Sequence, residues 1–390
     1  MSINMKLRFL SSHKGLIYIT LGNLVGAAAT GIFWLLLAFI QNAHEYGRTN
    51  YEISIASLAA SAALLGLNTT VTTYVAKGSS KINVQANQII LLSCGVAAII
   101  VAFFNWMLAF FVIGMAFWMM SSYELLGRKM YKQYAFVIIG ARASQLFLSI
   151  LLYYLLGITG IAIGFIISFL IFSQRYFIST RHFSKDFSEI KDKMKFSLNV
   201  YSFNMSNAFL LYFDKLIIAP LFGYAVLGYY QLGFQFLLFL GMIPISFYQY
   251  LISEDTSGLK KTRIRFFGLL VSIGLTALLF LSSPWILQHL FPHYTASLDA
   301  MRILSIGIIP MMLVWTLNSK FLNIGDTKYV LFGSAIYLTF QISLIFYLGN
   351  ALKVIGLALA VVLALIAQAS FLFISDKHLQ HKNKNNSYNS

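Results

Sequence analysis

The chain has 390 residues, of which 59% are hydrophobic and only 10% charged, and its formal net charge is +16. Soluble domains carry roughly 25% charged residues, so a soluble enzyme or binding module is excluded. Apolar runs long enough to cross a hydrocarbon core of roughly 30 Å recur along the chain, and mean hydropathy is +0.76.

The basic excess has two readings. It can mark a nucleic-acid partner, or it can orient membrane helices and attract anionic headgroups. Its placement selects the second, and no nucleic-acid partner is expected. The lone Cys94 sits in an apolar run, which excludes an internal disulfide and a thiol metal site. Lys6, Arg8 and Lys14 followed by Ala27-Ala28-Ala29 imitate a signal peptide, but the apolar run continues to Ile40, beyond a short signal core. It reads as the first membrane helix.

In chain order, twelve spans are predicted: 15–41, 52–76, 87–104, 106–121, 133–157 and 159–178, then 197–221, 225–252, 266–290, 298–320, 328–349 and 352–375. Only Asn105 separates spans 3 and 4. With the N-terminus inside, cytoplasmic segments collect 23 of the 28 Lys and Arg residues, including Lys77, Arg128, Lys129, Arg175, Lys191, Lys260, Arg263 and Lys377. Arg48 and Lys353 fall in outer loops, and the alternation follows the positive-inside rule with both termini cytoplasmic. The reading is an all-α membrane protein: residues 1–178 form an N-lobe, 179–196 a cytoplasmic linker, 197–376 a C-lobe and 377–390 a disordered cytoplasmic tail. Outer loops are short, the longest being Gln41 to Tyr51, which disfavours a membrane glycosyltransferase or polymerase.

The halves echo each other. Gly160-Ile-Ala-Ile-Gly164 opens span 6 and Gly356-Leu-Ala-Leu-Ala360 opens span 12; Glu45-Tyr-Gly-Arg precedes span 2 and Val226-Leu-Gly-Tyr opens span 8. Six helices per half give repeats of the same orientation, one plan of secondary transporters.

Polar residues at helical spacing point to a cleft. Span 1 has Asn23, Gly26 and Thr30; span 2 has Ser54, Ser57, Ser61, Asn68 and Thr72; span 5 aligns Arg142, Gln145 and Ser149. Span 7 carries Asn207 and Asp214, span 8 Gln231, Gln235, Ser246 and Gln249, and span 10 Arg302 and Ser305. Spans 4 and 12 lack such stripes and are expected to face lipid.

A charge at mid-bilayer costs at least about 2.5–3.5 kcal/mol, so Arg142, Asp214, Lys215 and Arg302 are candidates for function. Asp214 and Lys215, being adjacent, project about 100° apart and are not expected to neutralise each other. Arg302 is expected to pair with Asp299. A guanidinium matches phosphate oxygens bidentately and an ammonium supplies point charge. The substrate-binding set is therefore Arg142, Lys215, Asp214, Asn23, Asn68, Asn207, Gln145, Gln235 and Arg302. Pro244 and Pro310 favour kinks. His289 and His293 are interrupted by Pro292 and make no metal pair, and no phosphate-binding Gly-rich loop is present. No catalytic residue, metal or cofactor is expected.

The stretch Tyr212-Phe-Asp-Lys-Leu-Ile-Ile-Ala-Pro-Leu-Phe-Gly-Tyr-Ala-Val-Leu-Gly-Tyr-Tyr230, with Glu45-Tyr-Gly, Asn68-Thr-Thr-Val-Thr-Thr-Tyr-Val-Ala-Lys77, Pro310 and Asn323-Ile-Gly-Asp-Thr-Lys328, resembles the Wzx-like polysaccharide-biosynthesis flippases. These belong to the multidrug/oligosaccharidyl-lipid/polysaccharide exporter superfamily. The resemblance implies two six-helix lobes in a MATE-like V, alternating access, and turnover of a polyprenyl-linked oligosaccharide across the plasma membrane. It implies membrane lipid, the lipid-linked glycan and glycan-assembly proteins as partners of a monomer, with H+ or Na+ as coupling ion. The lipid II branch carries arginines in its first helices; predicted spans 1 and 2 contain none, which argues against a peptidoglycan precursor. The alternative function is a cation-coupled multidrug or metabolite exporter, with Asp214 as coupling carboxylate.

Overall fold

The computed structural model describes residues 14–388 apart from 80, 182, 256–261 and 325; the side chains of 244–265, 322–323 and 380–388 also lie outside the described set. Pro244, Ser246 and Gln249 of predicted span 8, and the basic residues Lys260 to Arg265, fall there. Among the described residues there is no strand.

The helices are α1 (Lys14–Ile40), α2 (Ala43–Ala63), α3 (Leu67–Ala76), α4 (Lys81–Ala102), α5 (Trp106–Gly127), α6 (Tyr131–Leu156), α7 (Ile158–Ile171) and α8 (Gln174–Thr180). There follow α9 (Ser188–Asp192), α10 (Met194–Phe222), α11 (Tyr224–Asp255), α12 (Thr262–Leu290), a 3-10 turn at Pro292–Ser297, α13 (Leu298–Ile306), α14 (Ile308–Asn323) and α15 (Thr327–Tyr388). Among the described residues nine helices are long and apolar enough to cross a membrane, or eleven when the bent pairs α2/α3 (47°) and α7/α8 (56°) each count as one span. The last of these, Thr327–Leu379, is broken at Lys353. The chain is a multi-pass membrane protein.

Several boundaries have a local cause. Asn105 ends the ambiguity between spans 3 and 4, because its side chain accepts from the Met107 N–H at 3.1 Å and caps α5. The segment 41–51, expected as a loop, is helical from Ala43: the Asn42 side chain accepts from the Glu45 N–H at 2.9 Å, a cap three residues ahead of a Glu. Arg48 thus lies inside α2, so the expectation that the second span holds no arginine is corrected. The α2/α3 bend sits at Leu65 (φ 50°) and Gly66 (φ 72°). Gly307 separates α13 from α14, which leaves Pro310 in the first turn of α14, where no intrahelical bond is lost. The tail expected to be disordered from residue 377 continues α15 to Tyr388; no Gly or Pro follows Gly356 to interrupt it.

Two compact units emerge. One gathers the residues up to Trp34 with Tyr51–Phe213; the other gathers Leu35–Asn50 with the chain from Asp214 onward. The division falls inside α1, α2 and α10 rather than in the connection 179–196. That connection is docked within the first unit: Gln85 of α4 accepts from the Ile190 N–H at 3.0 Å, Glu189 accepts from the Ser79 hydroxyl, and Ile190 is buried. At its tip the Ser188 N–H and hydroxyl hold the Asp186 carboxyl below the usual carboxylate range.

In the first unit α5 packs against α3, α4, α6, α7 and α8. An aromatic seam runs through it: Phe117 stacks on Tyr176 at 3.9 Å and Trp118 on Phe169 at 5.0 Å. Just past this seam, the buried Glu124 carboxylate takes Arg128 Nε at 2.6 Å and Arg175 Nη2 at 2.9 Å. α5 was expected to face lipid; over half of its apolar window is buried. Its Phe111, Met115, Phe117, Trp118 and Met120 side chains are buried in protein while Trp106 and Phe110 stay exposed, a distinction hydropathy does not register. The same holds for the second part of α15, where Leu357, Ala358, Ala360, Val361 and Ala364 are buried.

The repeat has two structural signatures. Gly157, between α6 and α7, has φ 66° and ψ −147°, and Lys353, in the corresponding place of α15, has φ 50° and ψ −123°. Three residues after each turn stands a glycine without room for a side chain: Gly160 against the Leu152 carbonyl, Gly356 against the Leu348 carbonyl. Within the second unit, Gly47 of α2 and Gly228 of α11 pack reciprocally. A Cβ at Gly47 would lie 2.8 Å from the Gly228 nitrogen, and one at Gly228 would lie 3.0 Å from the Ala43 Cα.

Candidate functional site

The first unit contains an open cavity of about 420 Å³, and the elements that line it do so at helical spacing. From α6 come Tyr134, Ile138 and Arg142, each four residues from the last and therefore on one face. From α5 come Met115, Trp118, Met119, Ser122 and Tyr123; the α2/α3 bend brings Ser61, Leu64 and Asn68 to the same space. The first part of α10 completes the wall with Asn204, Asn207, Ala208, Leu211 and Tyr212.

Arg142 is the one charged residue in that lining. Its Nη1 donates to Gln145 Oε1 at 2.7 Å, and its guanidinium carbon lies 4.9 Å above the Trp118 ring and 6.0 Å from that of Phe169. Among the described residues no carboxylate forms an ion pair with it. A cation–π contact contributes about 0.5–2 kcal/mol and a hydrogen bond to a charged group about 1.5–3 kcal/mol. These orient the guanidinium without cancelling its charge. The cavity is therefore electropositive, with aromatic walls and amide groups at its sides.

The amides are positioned too. Asn68 Oδ1 accepts from Asn204 Nδ2 at 3.4 Å, and the Tyr134 hydroxyl donates to Asn23 Oδ1 at 2.8 Å. Among the described residues the Trp118 indole N–H has no hydrogen-bond partner. Of the sequence-derived set, Arg142, Asn68 and Asn207 line this cavity, Gln145 braces Arg142 from behind, and Asn23 holds Tyr134. Sequence reasoning missed Trp118, Tyr123, Tyr134 and Tyr212. The signal available was the four-residue spacing of Tyr134, Ile138 and Arg142.

Asp214, Lys215, Gln235 and Arg302 belong to the second unit. There the expectation that Asp214 and Lys215 cannot neutralise each other is corrected: Lys215 Nζ lies 2.9 Å from Asp214 Oδ1. The Cα–Cβ bonds diverge, but a four-carbon stem is long enough to fold back over one residue. Asp214 Oδ1 also accepts from the Lys215 N–H at 2.9 Å, and Oδ2 accepts from the Tyr230 hydroxyl at 2.7 Å. Lys215 Nζ sits 4.6 Å from the centre of the Phe234 ring. Gln235 is buried one turn after Gln231. Arg302 does not pair with Asp299, contrary to expectation. Its guanidinium lies 5.3 Å from the Phe280 ring, while Asp299 occupies the first turn of α13, where free amides favour a carboxylate. His289 bonds the Trp285 carbonyl at 3.0 Å within its own helix.

No family model matches the sequence, and no curated protein is similar to it in sequence. Solved structures are similar in fold. One, the lipid II flippase MurJ in an inward closed conformation, superposes with a TM-score of 0.77 over 93% of this chain and 87% of its own, at 16% identity. The fold is that of the flippases and exporters. An inward-facing multidrug resistance MATE family transporter of the MOP superfamily gives a TM-score of 0.65 at 16% identity, covering 94% of this chain and 95% of its own. The eukaryotic MATE transporter AtDTX14 gives 0.61 at 14% identity, with 94% and 95% covered. At such identities what is shared is the fold.

Proposed function

We propose that this protein is a flippase of the plasma membrane that turns over a polyprenyl-linked, anionic oligosaccharide by alternating access. Arg142 carries the reading: a guanidinium that no carboxylate among the described residues engages, held over Trp118 in a cavity lined otherwise by uncharged residues, suits a phosphate-bearing cargo. The tyrosines and the Trp118 ring offer flat apolar faces to sugar rings, and Asn68, Asn204 and Asn207 offer both donors and acceptors to hydroxyls. A cavity for cationic drugs calls for carboxylates, and none stands in this lining. Twelve spans, with the parts of α15 on either side of Lys353 counted separately and both ends cytoplasmic, complete the reading. Its cargo is the lipid-linked glycan, with glycan-assembly proteins as partners of a monomeric transporter.

Lipid analysis of a deletion strain tests it. Lipid-linked oligosaccharide is expected to accumulate on the cytoplasmic face while surface glycan falls. Normal surface glycan in that strain would sink the reading.

A further inference from the structure

Transport against a gradient needs a source of free energy, and a common source is an inorganic cation bound at a buried carboxylate. Among the described residues two carboxylates are buried, Glu124 and Asp214, at 1% and 2% exposure. Each is already engaged by a cation of the chain itself. Glu124 holds Arg128 and Arg175. Asp214 holds Lys215 Nζ on Oδ1, with the Lys215 N–H on the same oxygen and the Tyr230 hydroxyl on Oδ2.

The second case differs from the first in design. Arg128 and Arg175 are 37% and 28% exposed, whereas Lys215 is 5% exposed and its carboxylate fully covered. The ammonium is bounded by the carboxylate on one side and the Phe234 ring on another. A carboxylate oxygen, a phenol oxygen and an aromatic face, with Tyr337 and Gln341 beside Tyr230, form surroundings that suit a monovalent cation. The cation there is covalently tethered, and being the residue next to the carboxylate it cannot diffuse away.

We propose that Lys215 is a built-in counter-cation that fills the place at Asp214 an inorganic cation would otherwise take. The conformational cycle is then independent of Na+, K+ or Li+ at this position. This rests on the transport reading for its meaning, but the cation site is tested without any cargo.

The experiment is thermal unfolding of the full-length purified chain in detergent, in choline chloride against NaCl, KCl and LiCl at equal ionic strength. The wild-type midpoint is expected to be the same in all four salts. Lys215→Gln leaves Asp214 without its cation and is expected to gain a concentration-dependent rise of about 2 °C or more in at least one alkali salt. That rise should vanish in the Lys215→Gln, Asp214→Asn double variant. A wild-type midpoint raised by an alkali cation, with the rise lost in Asp214→Asn, overturns the proposal. So does a Lys215→Gln protein that folds and shows no cation response. Should Lys215→Gln not insert, the wild-type and Asp214→Asn pair alone decides. A strain with normal surface glycan would remove the flippase reading and leave this result standing.

Discussion

Lys353 stands where the other half of the chain has a glycine, and the consequence can be worked out. Its φ of 50° and ψ of −123° lie in a region that L side chains avoid. A non-glycine residue held there costs of the order of 1–3 kcal/mol. Glycine removes that cost but returns about 0.5–1 kcal/mol through the greater freedom of its unfolded chain. Lys353→Gly is therefore expected to stabilise the protein by about 0.5–2 kcal/mol, a rise in unfolding midpoint of about 1 °C or more. The reverse change is equally informative. A Cβ at Gly157 meets nothing within 4 Å, so Gly157→Lys carries the backbone cost less the same unfolded-chain contribution and is expected to destabilise by about 0.5–2 kcal/mol. Thermal unfolding in detergent measures both. If Lys353→Gly lowers the midpoint while Gly157→Lys leaves it unchanged, the reasoning that equates the two turns is wrong.

Two further outcomes are expected. Glu124→Gln leaves Arg128 and Arg175 facing an uncharged amide. Breaking a fully buried pair costs about 3–5 kcal/mol; with both arginines about a third exposed, a loss nearer 1–3 kcal/mol is expected. An unfolding midpoint equal to wild type would show the cluster to be ornamental. Gly228→Leu forces a side chain toward Ala43 and is expected to cost about 1–3 kcal/mol through overpacking; unaltered thermal unfolding would mean that α2 and α11 do not pack so closely.

Much of the fold was legible because membrane helices announce themselves by length and apolarity. Even the narrow break at Asn105 carried its own reason in a capping side chain. The start of α2 was equally written in Asn42 and Glu45, but a polar stretch between apolar runs reads as a loop unless the cap is sought. The site was half legible. Charges and amides at helical spacing led to Arg142, Asn68 and Asn207. Trp118 and Tyr123 were lost because an apolar aromatic helix looks alike whether it faces lipid or a cavity. The Asp214–Lys215 pair was misjudged for a different reason: helical geometry fixes where a side chain leaves the backbone, and says little about where a long flexible one ends.

In the proposed cycle the Arg142 guanidinium, which no carboxylate among the described residues engages, holds an anionic cargo. The most direct test is the initial rate at which purified protein in proteoliposomes turns over a pyrophosphate-linked polyprenyl glycan, wild type against Arg142→Ala. Loss of a charge-assisted bond worth about 1.5–3 kcal/mol corresponds to a rate lowered roughly tenfold to a hundredfold. A stably inserted Arg142→Ala protein that flips the lipid at the wild-type rate would contradict the account.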